Sequence, residues 1–305
     1  MKNIASSNFY DSLKGSITLS LFISALLTAG AQNHPVEYLN NGSTDYNTSI
    51  EMGFEIPQNN GYENDWKGKK VAILGDSMSD PRKKVTDKWF YDYLSESLGI
   101  IPMPYAKSGY TWKDLYELAH ELEEIPYNDF DAIIIWAGTN DYNKSVPLGE
   151  FFSTESRTTN VNGKDAARVY RTINKDDATF TGRLNNLAEY LKTRYPDKPI
   201  VLLTPIHRGY ARFGDKNVQP SEEFSNGEGL FIEDYVAAIR QAGQIWSIPV
   251  IDLFSESGIV PRLDSNSRYI VNPETDRLHP GTLGHQRIAK VVEKHLKTIP
   301  AGFTY

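Results

Sequence analysis

The sequence predicts an α/β protein in which a parallel β-sheet lies between two layers of helices. Short apolar runs rich in Val and Ile alternate along the chain with longer stretches whose apolar residues recur at helical spacing. Two of the apolar runs, 70–74 and 131–137, end directly in glycine and polar residues, as buried strands do before a turn. The length of 305 residues is sufficient for one large domain of this class.

Strands and helices are predicted to alternate from residue 69 onward. Short apolar runs bounded by turn residues predict five strands, at 70–74, 100–105, 131–137, 199–204 and 248–252. Apolar residues three and four positions apart predict five helices, at 87–98, 111–123, 179–194, 229–246 and 281–297. This alternation implies a three-layer α/β/α domain, built on a doubly wound parallel sheet with helices on both faces.

Three long insertions interrupt the alternation, at 143–178, 206–228 and 254–275. The first contains Asn162 followed by Gly163, a pair that favours a tight hairpin turn. We expect the insertions to shape a substrate pocket, because long loops beside a rigid sheet usually carry functional residues.

The first 31 residues have the pattern of a secretory signal peptide. Lys2 and Lys14 flank a polar lead, an apolar run follows at 17–27, and small residues precede Gln32. The alternative is an uncleaved anchor, although the apolar run is short for a bilayer span and we expect no stable membrane insertion. The sequence thus predicts a periplasmic or secreted protein, with an N-terminal extension at 32–68 that packs on a domain at 69–305.

The composition excludes several classes of site. The formal net charge is −7, and no basic cluster is interleaved with aromatic residues, so we expect no nucleic-acid partner. The chain has no cysteine, which excludes disulfides, thiolate metal sites and cysteine nucleophiles. A metal site built from Asp76, Asp141, Asp276 and His279 is the alternative to a metal-free site. No histidine pair has the spacing typical of zinc, and we predict neither a metal nor a cofactor.

A candidate nucleophile follows the first predicted strand. Residues 75–79, with the sequence GDSMS, place Ser77 at a turn directly after that strand. Residues 138–141, with the sequence GTND, follow the strand at 131–137 in the same way. Because sites in open α/β sheets lie at the carboxyl ends of strands, we expect these polar groups to gather at one edge. A Gly-Asp-Ser tripeptide alone is usually an ordinary turn.

A candidate base and its orienting carboxylate lie close together near the C-terminus. Residues 276–280, with the sequence DRLHP, place Asp276 three positions before His279 on what reads as a short loop. A serine hydroxyl needs a base to take its proton, and the histidine needs a third group to fix its tautomer. Alone, this pattern could equally be a helix N-cap followed by a solvated histidine.

With these motifs the chain resembles the SGNH (GDSL-type) hydrolase superfamily from about residue 69 to about residue 296. The resemblance implies a flavodoxin-like sheet and a serine esterase with Ser77 as the nucleophile, His279 as the base and Asp276 as its orienter. Met78 stands where leucine is common, a change between apolar residues of similar volume.

The resemblance also implies an oxyanion hole. Its donors are the backbone N–H groups of Ser77 and Gly109 and the side-chain amide of Asn140. Around Gly109 only the glycine itself matches the second motif of the family. Asp141 is expected to brace Asn140 rather than to act in catalysis.

Three further residues are candidate substrate contacts: Asp76, His207 and Arg208. His207 and Arg208 follow the predicted strand at 199–204, and a plain surface histidine is the alternative for His207. Asp76 is also a candidate support for its loop. His285 is expected on a helix surface or in packing, and His120 and His295 are expected to be exposed.

The function predicted from the sequence is hydrolysis of carboxylic esters through an acyl-serine by an exported enzyme. The insertions carry Arg, Tyr, Asn and Asp, which suit a polar leaving group, and the resemblance includes polysaccharide deacetylases. We therefore expect a short acyl group, acetyl, on a carbohydrate, in a substrate that is a small-molecule or polysaccharide ester. A lipase or lysophospholipase is the alternative enzyme, and a catalytically silent binding protein on the same fold is the alternative of another class.

Overall fold

The computed structural model of the protein describes residues 64–299 and residue 303. The strands are β1 (Lys70–Gly75), β2 (Ile101–Ala106), β3 (Ala132–Trp136), β4 (Phe152–Val161), β5 (Lys164–Ile173), β6 (Ile200–Leu203), β7 (Ala211–Arg212), β8 (Val218–Gln219), β9 (Val250–Ile251), β10 (Ile270–Asn272) and β11 (Asp276–Pro280). The α-helices are α1 (Phe90–Leu98), α2 (Trp112–His120), α3 (Thr139–Asn143), α4 (Phe180–Arg194), α5 (Ile232–Trp246), α6 (Leu253–Glu256) and α7 (Thr282–Leu296).

A five-stranded sheet forms the centre of the domain, in the order β2-β1-β3-β6-β9. Every neighbouring pair in this sheet is parallel, which confirms the predicted doubly wound sheet. The chain passes from β1 to β2 on one side and then to β3 on the other, so the connections reverse direction beside β1. Gly75 pairs with Trp136, and the loops that leave β1 and β3 therefore begin side by side. Such a switch point is where α/β sheets bind ligands.

Helices cover both faces of this sheet because the strand side chains alternate between them. Ala72 and Leu74 of β1 pack in the core that includes α2, α4 and α5. Val71 and Ile73 pack in the core that includes α1 and α7. All four side chains are fully buried. Full burial of a side chain the size of leucine or isoleucine stabilises the fold by about 1.5–3 kcal/mol, so the sheet is a rigid base for its loops.

The five predicted strands and five predicted helices are all present, with shifted ends. The first helix begins at Phe90 rather than at 87, because the carboxylate of Asp92 accepts a hydrogen bond from the backbone N–H of Trp89 (2.8 Å) and fixes the start there. Strand β9 has two residues rather than the predicted five. It begins after Pro249, which has no N–H group to contribute to the ladder.

The first insertion contains a long hairpin. Strands β4 and β5, of ten residues each, pair antiparallel across a two-residue turn formed by Asn162 and Gly163. These two residues have φ values of 53° and 79°, the left-handed conformation that a type I′ turn requires at both positions. The predicted hairpin turn is confirmed.

The second and third insertions contribute to a small sheet that the sequence did not predict, in the order β10-β11-β7-β8. Asp276 and His279 lie on β11 of this sheet rather than on a loop, which corrects the expectation for the segment 276–280. Asp276 pairs with Ala211, which is 65 positions earlier in the chain. Strands this short carry no alternating pattern, and their pairing comes from distant residues.

The end of the predicted N-terminal extension contacts the domain. Trp66 is 1% exposed, and its indole N–H donates a hydrogen bond to the carbonyl of Leu296 (2.8 Å). The predicted signal peptide at 1–31 and residues 32–63 of the extension lie outside the described residues. Among the helices of the described part, none has the length and apolar character needed to cross a membrane.

Candidate active site

Ser77 lies in a tight turn at the carboxyl end of β1. The carbonyl of Asp76 accepts a hydrogen bond from the N–H of Ser79 (3.1 Å), and the Asp76 carboxyl accepts one from the N–H of Met78 (2.9 Å). Gly75 is required at the strand end, since a Cβ there would lie 2.8 Å from the Ser79 hydroxyl. The turn thereby holds the Ser77 hydroxyl at the sheet edge, with 5% of the residue exposed.

Ser77, His279 and Asp276 form a continuous hydrogen-bonded chain. The imidazole Nε2 of His279 lies 2.9 Å from Ser77 Oγ. On the other side of the ring, Nδ1 lies 2.9 Å from Asp276 Oδ2 and 3.0 Å from Oδ1. An ionised carboxylate only accepts hydrogen bonds, so Nδ1 carries the proton and Nε2 is free to accept one from the serine. This is the geometry that general-base activation of a hydroxyl needs.

The Asp276 carboxylate is fixed by more than the histidine ring. It also accepts hydrogen bonds from the backbone N–H groups of Leu278 (3.2 Å) and His279 (3.0 Å). Burial disfavours its charged form, but the hydrogen bonds and charge of His279 outweigh burial and hold the pKa of Asp276 below its usual range. The carboxylate is therefore ionised at neutral pH, where it can stabilise an imidazolium ion.

Asn140 is the second residue of α3, directly after β3, and it is 7% exposed. Its side-chain amide donates to the carbonyl of Tyr110 (2.9 Å) and to Oδ2 of Asp76 (3.2 Å). These two acceptors engage the two hydrogens of the amide. To donate to an oxyanion as well, the amide must share or release one of these hydrogens.

Gly109 lies in the exposed loop that follows β2. Its φ of +83° is in the region that favours glycine, and a Cβ built there would meet nothing within 4 Å. The loop is tied down on both sides: the N–H of Ser108 donates to Asp80 (2.9 Å), and Tyr110 donates to Lys107 (3.1 Å). The glycine thus satisfies the backbone conformation, and the space beside its Cα is open.

Two fully buried carboxyl groups lie under these loops. Burial raises the pKa of Asp76 to about 7, and burial raises that of Asp141 to about 6. Asp141 accepts hydrogen bonds from the N–H of Trp112 (3.1 Å) and from Arg183 Nη1 (2.8 Å). It thus links α3, the helix that carries Asn140, to the start of α2 and to α4.

The three candidate substrate contacts lie in different surroundings. Asp76 and Arg208 have 0% and 1% of their surface exposed, so neither offers a side chain to a substrate in this structure. Arg208 donates to the carbonyl and hydroxyl oxygens of Thr139 (3.1 and 3.0 Å), directly before Asn140. His207 is partly exposed, bonded through Nδ1 to Glu222 (2.7 Å) with its ring against Phe254. Their burial indicates that Asp76 and Arg208 support the loops of the site rather than contact a substrate.

Phe213 contacts the candidate base, a contact that the sequence did not predict. Its ring lies edge-on to the ring of His279, with 5.5 Å between the centroids, and the residue is 39% exposed. Phe213 lies 66 positions before His279, in the second insertion. The only signal in the sequence was that this insertion is rich in aromatic and basic residues. That composition does not indicate which of them contacts His279.

Three other histidines of the described residues lie outside the candidate site. His285 is buried, its ring lies edge-on to Trp89 with 4.9 Å between centroids, and burial lowers its pKa to about 3. His120 is exposed, as expected, whereas His295 is half-buried and bonded to Glu256 (2.8 Å), which corrects the expectation of a free surface residue. Among the described residues, no three His, Cys, Asp or Glu side chains are grouped so that they could hold a metal ion.

Comparison with known proteins relates this fold and its motifs to one group of hydrolases. Residues 73–287 match the model of the GDSL-like Lipase/Acylhydrolase family. A crystal structure of a Lactobacillus plantarum protein has a TM-score of 0.59 and 25% identity, covering 76% of this chain and 98% of its own. A possible lipase from Chitinophaga pinensis has a TM-score of 0.59 and 18% identity over the same shares, and shows the fold alone. No curated protein matches the chain.

Proposed function

Because the chain belongs to the GDSL-like lipase/acylhydrolase family, it is a carboxylic-ester hydrolase, and we propose that Ser77, His279 and Asp276 are its catalytic triad. The observation that carries this proposal is the 2.9 Å contact between His279 Nε2 and Ser77 Oγ, with Asp276 on the other side of the ring.

The proposed reaction has two acyl-transfer steps. His279 takes the proton of the Ser77 hydroxyl as Oγ attacks the ester carbonyl, and Asp276 stabilises the imidazolium that forms. The tetrahedral intermediate collapses, its C–O bond to the alcohol breaks, and His279 gives the proton to the departing oxygen. Water then attacks the acyl-serine with the same base, which releases the acid and restores the serine.

The negative charge of the tetrahedral oxygen needs preorganised donors. We assign this role to the backbone N–H groups of Ser77 and Gly109 and the side-chain amide of Asn140. Support comes from the topology, since these residues follow β1, β2 and β3, whose carboxyl ends are neighbours in the sheet.

The proposed substrate is a short-chain ester, most simply an acetyl ester, on a carbohydrate. Next to the triad and its loops lie the rings of Phe213 and Tyr110, with the ammonium groups of Lys83 and Lys107 over them (4.8 and 5.2 Å to the centroids). Flat rings combined with polar groups suit a sugar, whereas a long acyl chain needs an extended apolar channel. Export through the signal pattern of residues 1–31 belongs to the same proposal.

A chain-length series of p-nitrophenyl esters, followed by acetylated glycans, tests this function. The acetyl ester should be hydrolysed with a higher kcat/KM than the octanoate, and Ser77→Ala should abolish turnover. Ser79→Ala is the matched control, because this serine lies two positions away in the same turn, and its buried hydroxyl has no hydrogen-bond partner among the described residues. A preference for long acyl chains would favour the lipase alternative, and activity retained in Ser77→Ala would remove that serine from the mechanism.

Export has its own test. The mature protein recovered from the producing cell should begin after residue 31 by mass spectrometry, and an intact Met1 would contradict a cleaved signal.

A further inference from the structure

Three lysines lie around the candidate triad, and we call Lys83, Lys107 and Lys144 the lysine rim. Lys144 Nζ donates a hydrogen bond to the carbonyl of Gly109 (3.0 Å). Lys107 Nζ lies over the ring of Tyr110, at 5.2 Å from its centroid. Lys83 Nζ lies over the ring of Phe213, at 4.8 Å. Each ammonium group thus contacts a residue of the oxyanion loops or a residue that touches the base.

The topology of the sheet places these lysines at the same edge. Lys83 ends the short 3₁₀ turn Pro81–Lys83 after β1, Lys107 directly follows β2, and Lys144 directly follows α3 after β3. All three therefore stand on connections that leave the carboxyl ends of three adjacent parallel strands. That edge also carries Ser77 and Asn140, so the positive charge is placed on the side where a substrate must approach.

No carboxylate of the described residues is in direct contact with the lysine rim. None of its three ammonium groups forms an ion pair there, whereas other lysines do, including Lys113 with Asp177 (2.7 Å). Lys107 and Lys144 are exposed, and Lys83 is half-buried.

Three carboxylates of the segments around the site have other direct partners. Asp80 is bonded to Arg82 and to Ser108, Asp114 is bonded to Thr111, and Asp215 is paired with Arg212. Lys144 interacts at longer range with Asp114 and Asp141, whose charged forms it favours. In a chain of net charge −7, three lysines without a direct ion pair to the described residues still concentrate positive charge at this strand edge. Such a local field concentrates anions at the site and accelerates their association.

We infer that the substrate is an acyl ester of an acidic carbohydrate, with a carboxylate or sulfate group close to the scissile ester. This inference rests on the proposed esterase function and adds the charge of the alcohol part. The lysine rim binds the anionic groups that flank the ester, while the triad acts on the ester itself. The lysine rim strengthens substrate binding, so its effect appears as a lower KM. The effect weakens as the salt concentration rises, because exposed charges are screened.

Acetylated polygalacturonate provides a matched pair of substrates. Its free-acid form and its fully methyl-esterified form carry the same sugar and the same acetyl groups, and they differ in charge. At low salt the wild type should release acetate from the free-acid form with a kcat/KM about 10- to 100-fold higher, which three exposed charge contacts can supply. This preference should shrink as the salt concentration rises from about 0.05 to about 0.5 M. Equal rates on the two forms would overturn the inference.

The variant Lys83→Gln/Lys107→Gln/Lys144→Gln tests the rim itself. It should lose the preference through a higher KM on the free-acid form. The readout is the ratio of kcat/KM on the free-acid form to kcat/KM on the methyl-esterified form, so that any change common to both substrates, such as loss of the bond from Lys144 to Gly109, cancels. The corresponding triple arginine variant should retain the preference. Lys164→Gln/Lys290→Gln/Lys294→Gln is the control, since it removes the same charge from exposed positions elsewhere. An unchanged preference in the rim variant would contradict the role of these lysines.

Two further substrates test which anionic group the rim binds: a sulfated glycan and an anionic lipid. An acetylated, sulfated glycan that is hydrolysed faster than its desulfated form would extend the inference to sulfate. Faster turnover of lysophosphatidylglycerol than of either glycan would overturn the carbohydrate assignment. A wild type that does not hydrolyse p-nitrophenyl acetate would instead refute the proposed esterase function, so the two failures are distinguishable.

Discussion

The side-chain amide of Asn140 donates a hydrogen bond to the buried carboxyl group of Asp76 over 3.2 Å, and so joins the loop after β3 to the turn after β1. The same amide donates to the carbonyl of Tyr110, in the loop after β2. One side chain therefore connects the three strand ends at which the candidate nucleophile and oxyanion donors lie. Substitution of Asn140 or Asp76 should therefore alter the geometry of the site. Because the Asp76 carboxyl titrates, part of its contribution should depend on pH.

Asp76 should make the stability of the fold decrease as the pH rises from about 4 to about 7. Burial raises its pKa to about 7, from an ordinary value of 3.8. Between these values the folded protein keeps a proton that the unfolded chain has released, so unfolding becomes easier as the pH rises. In Asp76→Asn this group cannot titrate. The Tm of the variant, relative to wild type, should therefore rise between pH 4 and pH 7 and level off above it.

Asp141 has a pKa raised to about 6 and acts in the same direction. It is present in both proteins, so its own titration cancels in the difference except for its coupling to Asp76, whose pKa its charge helps to raise. A Tm difference that is independent of pH would show that Asp76 keeps an ordinary pKa.

Asn140→Ala should lower kcat while leaving KM nearly unchanged. The oxyanion charge exists only in the transition state, so loss of one donor should cost about 10²–10³-fold in turnover. Steady-state kinetics on p-nitrophenyl acetate and thermal unfolding should be measured on the same purified variant. Loss of the bonds to Asp76 and Tyr110 also lowers stability, by about 1 kcal/mol. Lower stability with wild-type turnover would assign Asn140 a structural role alone.

Gly109→Ala should reduce turnover, and Gly163→Ala should not. Both glycines have left-handed backbones, with φ values of 83° and 79°, and at both a Cβ would meet nothing within 4 Å. The two substitutions should therefore cost a similar free energy of unfolding, about 1–2 kcal/mol, from backbone strain. Only Gly109 lies in the loop that we assign to the oxyanion hole. Equal activities of the two variants would remove Gly109 from that role.

Asp276→Asn should lower kcat by about 10³–10⁴-fold with little change in KM, because a neutral amide no longer selects the tautomer with the proton on Nδ1 of His279. The amide oxygen can still accept the backbone N–H groups of Leu278 and His279, so the fold should persist. Circular dichroism controls for folding. A variant with wild-type kcat would show that Asp276 does not orient the ring of His279.

The sequence predicted the central sheet because its strands are local features. The run from Val71 to Leu74 is apolar without interruption, as a strand buried on both faces must be, and Gly75 marks its end. The positions of Ser77 and Asn140 at the same edge follow from that alternation of strands and helices. The proximity of Asp276 to His279 was equally local, since three residues separate them.

The contacts that the sequence did not reveal join distant residues. The small sheet pairs Asp276 with Ala211, and Phe213 reaches His279 only because that sheet forms. Strands of two to five residues have no periodic pattern to read, and no local rule predicts that the three lysines of the rim lie at one edge. Their common position depends on the order in which the parallel strands are arranged, which the structure supplies.

The most direct test of the proposed mechanism is covalent labelling of the nucleophile. A fluorophosphonate should inactivate the enzyme in a one-to-one reaction, because its phosphorus traps an activated serine at the stage of the tetrahedral intermediate. Peptide mapping by mass spectrometry should place the adduct on Ser77, and His279→Ala should slow labelling by removing the base. No adduct on an active wild-type enzyme, or an adduct on any other residue, would contradict the assignment of Ser77 as the nucleophile.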